Sequence, residues 1–150
     1  SKDRPVDPKV DPYLRSKIWP DLNTKLLDLK YELAGYGIVP SSWYLIGSFA
    51  TDKARGRSDI DIAVVILDRE QRDRFYGLPF WGESTSFGNV GPHRVELTLF
   101  DDEKTIRCTE VTKPLSWDSE QNSFELGTQQ EVLSPKDFER EISLPPEARG

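Results

Sequence analysis

The sequence predicts an α+β fold, with helical segments packed on a short β-sheet, and three observations carry that expectation. Leu22, Leu26, Leu29 and Leu33 recur at the spacing of one apolar helix face. "SSWYLIGS" and "DIDIAVVI" are short apolar runs bounded by turn residues, the pattern of buried strands. "HRVELTLF" alternates apolar and polar residues with the two-residue period of a half-buried strand.

A chain of 150 residues with 36% hydrophobic side chains builds one compact core but not comfortably two. The expected organisation is a flexible arm over 1–10 and one domain over 11–150, with its motifs in 21–100 and a less determined extension over 101–150. Asp and Glu outnumber Lys and Arg, 26 to 20, for a net charge of -6, which argues against strong binding to duplex nucleic acid. Cys108 is the single cysteine, so neither an internal disulfide nor a cysteine zinc cluster forms, and a reducing, cytoplasmic setting is expected. No apolar run approaches membrane-spanning length, so no membrane partner is expected. The chain contains no methionine, not even at its start, so a processed or trimmed product is expected.

Charge and proline leave Ser1 to Val10 little to pack. Asp11 and Pro12 are expected to start a short helix that Pro20 ends, and Asp21 to open the leucine-faced helix that Gly35 and Gly37 close. The first strand follows over 41–48 and the second over 59–66, apolar enough to lie centrally in a sheet. "DREQRDRFYG" is expected as an exposed helix or turn. "LPFWGESTSFGNVGP", Leu78 to Pro92, has the composition of a long ordered loop. The third strand spans 93–100. Beyond it, "KTIRCTEV" is expected as another strand, and Ser134, Pro135 and Asp137 as the start of a short helix through Ile142.

Side chains alternate faces along a strand, so Asp59 and Asp61 point one way while Ile60 and Ile62 enter the core. Two carboxylates so placed repel unless a cation lies between them or one is protonated. Taken alone, an Asp-x-Asp pair is more often a capped turn followed by a solvated residue. A calcium loop is excluded, because Ala63 and Val64 stand where it needs a ligand and a glycine. Hard oxygen donors suit magnesium, or manganese, better than zinc. Glu96 faces away from Val95, Leu97 and Leu99 and would complete a three-carboxylate cluster if its strand lies beside that of Asp61. Such a cluster can hold two metals on the order of 3.5 to 4 Å apart, the arrangement of phosphoryl and nucleotidyl transfer. Gly47 and Ser48 leave the first strand where free backbone N–H groups and the Ser48 hydroxyl offer a phosphate seat, although Gly-Ser alone is an ordinary turn.

The stretch "GSFATDKARGRSDIDI" resembles the signature of the polymerase-beta-like nucleotidyltransferase superfamily, in which Gly-Ser opens a helix and Ser-Asp-x-Asp follows at a fixed distance. Gly47, Ser48, Ala50, Ser58, Asp59, Ile60 and Asp61 fall on the pattern in register, Glu96 matches the third acidic position, and the resemblance extends over roughly 21–100. It implies a minimal nucleotidyltransferase fold: a short mixed sheet flanked by helices. A nucleoside triphosphate such as ATP would be held at Gly47 and Ser48. Asp59 and Asp61 would bind magnesium bridging the phosphates, and Glu96 would join one metal and help deprotonate an acceptor hydroxyl. The implied reaction moves a nucleoside monophosphate to that hydroxyl and releases pyrophosphate. The acceptor is open among a protein, an RNA end and a small molecule.

Small bacterial members of the superfamily commonly carry Arg-Gly where this chain has Thr51 and Asp52. Asp52 sets a further negative charge near a triphosphate. Lys53, Arg55 and Arg57 lie in the same connection, within reach of phosphate oxygens, and the alternative for them is a solvated charged turn. The departure supports a second reading: a nucleotidyltransferase fold kept as a binding or regulatory module, such as the antitoxin-like partner of another protein. His93, in a Gly-Pro context, is expected at the surface. Phe80, Trp81 and Phe87 are candidates for stacking on a base or for filling the core. Cys108 is expected as a small buried hydrophobe.

Overall fold

The structure is a computed structural model that describes residues 9–78 and 86–145. Six strands form one mixed sheet in the order β3-β4-β2-β1-β5-β6. They are β1 (Ser42–Ile46), β2 (Ile60–Val65), β3 (Ser86–Val90), β4 (His93–Phe100), β5 (Lys113–Asp118) and β6 (Ser123–Leu126). β2 and β4 run parallel, and the other neighbours pair antiparallel. With its helices, this is the expected α+β fold, and its mixed sheet is consistent with a nucleotidyltransferase fold.

The first helical region departs from expectation at both ends. Helix α1 (Val10–Tyr13) passes through a π-helical turn (Leu14–Ile18) into α2 (Trp19–Gly35), so the chain stays helical across Pro20. The widened turn is closed by Trp19 N–H donating to the Leu14 carbonyl, and Pro20 falls in the first turn of α2, directly after it. Val10 is therefore helical and packs against the main core, so the expected arm of 1–10 is too long at its end. Residues 1–8 of that arm lie outside the described residues.

Leu22, Leu26, Leu29 and Leu33 are all buried, as their spacing predicts. They meet one face of the sheet through Trp43, Leu45, Ile60, Ile62, Val64, Val95 and Leu97. Full burial of one leucine stabilises by about 1.5–3 kcal/mol, so this layer dominates cohesion. The opposite face carries a smaller core of Tyr44, Ile46, Ala63, Val65 and Ile106, with Phe100 beside it. β2 is thus apolar on both faces after Asp61, which explains its unbroken hydrophobic run.

Two further expectations need correction. A third of the presumed loop of 78–92 is strand β3, paired with β4, and 79–85 lie outside the described residues; the register of β3 shifts between Ser86 and Asn89, where Gly88 takes φ +80°, and that bulge breaks the alternation a strand would show. "KTIRCTEV" is no strand: Asp102 accepts a hydrogen bond from Thr105 N–H at 2.7 Å and starts α4 (Glu103–Arg107). The following hairpin of β5 and β6 was not anticipated. The helix or turn expected over "DREQRDRFYG" is the helix α3 (Arg69–Tyr76), and the helix expected from Ser134 is α5 (Pro135–Ile142), the two capped by Asp68 and Ser134. Among the described residues, no helix is long and apolar enough to cross a membrane.

Candidate active site

The candidate site lies where β1 ends and β2 and β4 begin. Asp61 of β2 is in register with Glu96 of the parallel strand β4 on one side and with Ile46 of β1 on the other. Ile60, Ile62, Val95 and Leu97 turn to the main core, so Asp61 and Glu96 share the opposite face, as alternation predicts. Asp61 then sits at the open end of the row it forms with Ala63 and Val65.

Electrostatics confirm that negative charge converges there. Burial comes first, then the charges of Glu96, Asp59 and Glu110, and together they push the Asp61 carboxyl up to about 6. Glu110, just after α4, is a contributor the sequence reading missed. A second missed residue is Arg94, whose Nη2 lies 2.7 Å from Glu96 Oε1 and 3.8 Å from Asp59 Oδ2. It stands two residues before Glu96 on the same strand, and that spacing was the available signal.

Gly47 packs directly on Asp61. Its φ is +72°, in the left-handed region, and a Cβ built there would collide with Asp61 Oδ2. Glycine is therefore required twice over, once by the backbone and once by the carboxylate. Gly47 and Ser48 open a single 3₁₀ turn (Gly47–Phe49), the only helical structure at the place where the resemblance has Gly-Ser open a helix. Ala50 N–H and Thr51 N–H both donate to the Gly47 carbonyl, at 3.0 and 3.1 Å, and close that turn.

The connection to β2 is held from two sides. Ser58 Oγ accepts from Arg55 N–H at 2.6 Å, which leaves its own proton free to donate. The Ser58 carbonyl lies 2.7 Å from His93 Nδ1, and the Tyr13 hydroxyl 3.0 Å from Nε2. A carbonyl only accepts, so Nδ1 carries the proton and the neutral ring accepts from Tyr13. His93 is fully buried, with Phe49 edge-on at 5.0 Å, contrary to the surface position expected of it. Burial, first among its influences, lowers its pKa. The ring thereby fixes the residue that precedes Asp59.

Asp52 also has a role the sequence hid. Lys113 Nζ, on a residue 1% exposed, donates to Asp52 Oδ1 at 2.6 Å, to the Phe49 carbonyl at 2.8 Å and to Asp11 Oδ1 at 2.9 Å. Arg15 in turn pairs with Asp11 at 2.8 Å. Two cations answer two anions in this network, so the Asp52 charge is matched within it. Lys53, Arg55 and Arg57 are exposed on the same connection. Phe87 packs against the core, Phe80 and Trp81 lie outside the described residues, and Cys108 is only half-buried at the end of α4.

Among the described residues, no group of three or more carboxylate, imidazole or thiolate side chains stands ready-made around a metal position. The donor set fits a hard divalent cation in another way. Magnesium is usually held by one or two carboxylates, with substrate phosphates and water completing its shell. Asp61 beside Glu96, where burial first and then surrounding negative charge favour a proton on Asp61, would offer a cation a seat of that type.

Residues 38–87 match the family model described as "Polymerase beta, Nucleotidyltransferase". This match over a third of the chain supports the polymerase-beta-like nucleotidyltransferase superfamily for that segment. The matched nucleotidyltransferase segment contains Gly47, Ser48, Ser58, Asp59 and Asp61, and Glu96 lies beyond it, joined to it by the β2–β4 register. Neither the comparison with curated proteins nor that with solved structures finds a match.

Proposed function

We propose that this protein is a metal-dependent nucleotidyltransferase that moves a nucleoside monophosphate from a nucleoside triphosphate to a hydroxyl acceptor and releases pyrophosphate. The observation that carries the reading is the register of Asp61 against Glu96, behind a Gly47 whose missing side chain makes room for the Asp61 carboxylate. Asp59, two residues before Asp61, turns its charge to the same place.

Each residue has a role in this reading. Gly47 and Ser48 receive the polyphosphate through backbone N–H groups and the Ser48 hydroxyl. Ser58 offers its hydroxyl proton from the turn before Asp59, and Lys53 and Arg57 bring positive charge to the phosphate oxygens. Asp59, Asp61 and Glu96 hold magnesium or manganese. The cation, when bound, neutralises charge developing on the α-phosphate and the departing pyrophosphate. Glu96, at the edge of this group, accepts the acceptor hydroxyl's proton. The acceptor is a protein, an RNA end or a small molecule.

Incubation with each α-labelled nucleoside triphosphate, magnesium and cell extract tests the reading. Label transferred by the wild type and lost in Asp59→Ala/Asp61→Ala supports the enzyme. Nucleotide binding without transfer under any condition supports instead a regulatory module that keeps the fold.

A further inference from the structure

We propose that Lys113 is a positioning residue for the phosphate-receiving turn and that Asp52 is its dedicated counterion. The inference rests on the nucleotidyltransferase reading, because the turn it positions is the one assigned there to the polyphosphate.

A lysine buried to 1% exposure is costly, and well-packed apolar residues often replace such groups without loss of stability. Here all three ammonium donors have acceptors within hydrogen-bond distance: the Phe49 carbonyl, Asp52 and Asp11. Two of those acceptors belong to the short segment that starts at Gly47. The Phe49 carbonyl shares its peptide unit with Ala50 N–H, which donates to the Gly47 carbonyl at 3.0 Å. Orienting that unit from β5 therefore sets the closure of the turn at Gly47 itself.

Asp52 is held in the left-handed region at φ +60°, where a non-glycine residue rarely sits. Its 2.6 Å bond to Lys113 holds it there. Asp11 completes the assembly from α1, so the helix, the turn and β5 meet at one ammonium group. Thr51-Asp52 in place of Arg-Gly is then a way of anchoring the turn from behind.

Magnesium tripolyphosphate is the probe, because it tests the turn without requiring the nucleotide base to be known. Its affinity is measured by calorimetry for the wild type, Lys113→Met, Asp52→Asn and the distant core variant Leu26→Ala, with a thermal melt of each. Asparagine tolerates the left-handed region, so Asp52→Asn removes the charge and keeps the backbone; it carries the test if Lys113→Met does not fold. The expected result is a loss of affinity of roughly tenfold in Lys113→Met and several-fold in Asp52→Asn, with Leu26→Ala melting lower yet binding as the wild type does. Affinity unchanged in the folded Lys113 and Asp52 variants, or falling in Leu26→Ala in proportion to its melting temperature, overturns the proposal and leaves the enzymatic reading intact. A wild type that does not bind the probe overturns both.

Discussion

Asp61 and Glu96 face each other across two parallel strands, and this pairing brings together carboxylates that lie far apart in sequence. The fold thereby concentrates like charge at one end of β2, a strand that is otherwise apolar on both faces. Several measurable consequences follow from that concentration and from the residues that hold it.

The first concerns stability against pH. The Asp61 carboxyl is raised from 3.8 to about 6 in the folded protein, so the folded state binds the proton more tightly than the unfolded chain does. The stabilisation is complete below pH 4 and is lost as pH rises through 6. Asp61→Asn in metal-free protein should therefore melt about 2–4 °C above the wild type at pH 8 and close to it at pH 4. Melts at the two pH values in the presence of a chelator check this, and a variant that melts lower at pH 8 would contradict it.

Gly47→Ala should be destabilising without any loss of buried surface. The left-handed backbone alone costs an added side chain about 1–2 kcal/mol, and the collision with Asp61 adds to that. Urea denaturation should show a lower midpoint. Pairing it with Asp61→Ala should recover part of the loss, because the colliding carboxylate is gone.

His93→Phe keeps a ring in the core but leaves the Ser58 carbonyl and the Tyr13 hydroxyl without their partner. Such orphaned groups cost about 1–3 kcal/mol each, measurable by urea denaturation. The native imidazole also has its pKa lowered by burial, so its contribution is present above the unfolded value of 6.5 and lost as pH falls below it. The wild type should lose stability over that acid range relative to His93→Phe, and parallel curves for the two proteins would count against a buried neutral ring.

How much of this was legible in sequence depends on the range of each interaction. The leucine face of α2, strands β1, β2 and β4, and the Gly-Ser and Asp-x-Asp motifs are periodic or local, and the chain displays them directly. Glu96 followed from alternation once its strand was placed beside that of Asp61. His93, Lys113 and Glu110 act across the fold, through contacts that no local pattern encodes. Lys113 reads as one more charged residue until β5 brings it to Phe49 and Asp52. Asp52 was misleading for the same reason: its counterion comes from a distant strand. The hairpin of β5 and β6 escaped because "WDSEQNSF" is polar through its turn, and β3 because a bulge at Gly88 breaks its alternation. Pro20 misled because a π-helical turn absorbs it.

The central claim is that Asp61 and Glu96 form the seat for a divalent cation and a nucleoside triphosphate. Its most direct test is calorimetric titration of manganese into the protein with a non-hydrolysable nucleoside triphosphate present, for the wild type, Asp61→Asn and Glu96→Gln. Saturable binding by the wild type is expected, with a loss of at least about tenfold in affinity in each variant. Equal manganese affinity in all three proteins, each shown to be folded, would contradict it.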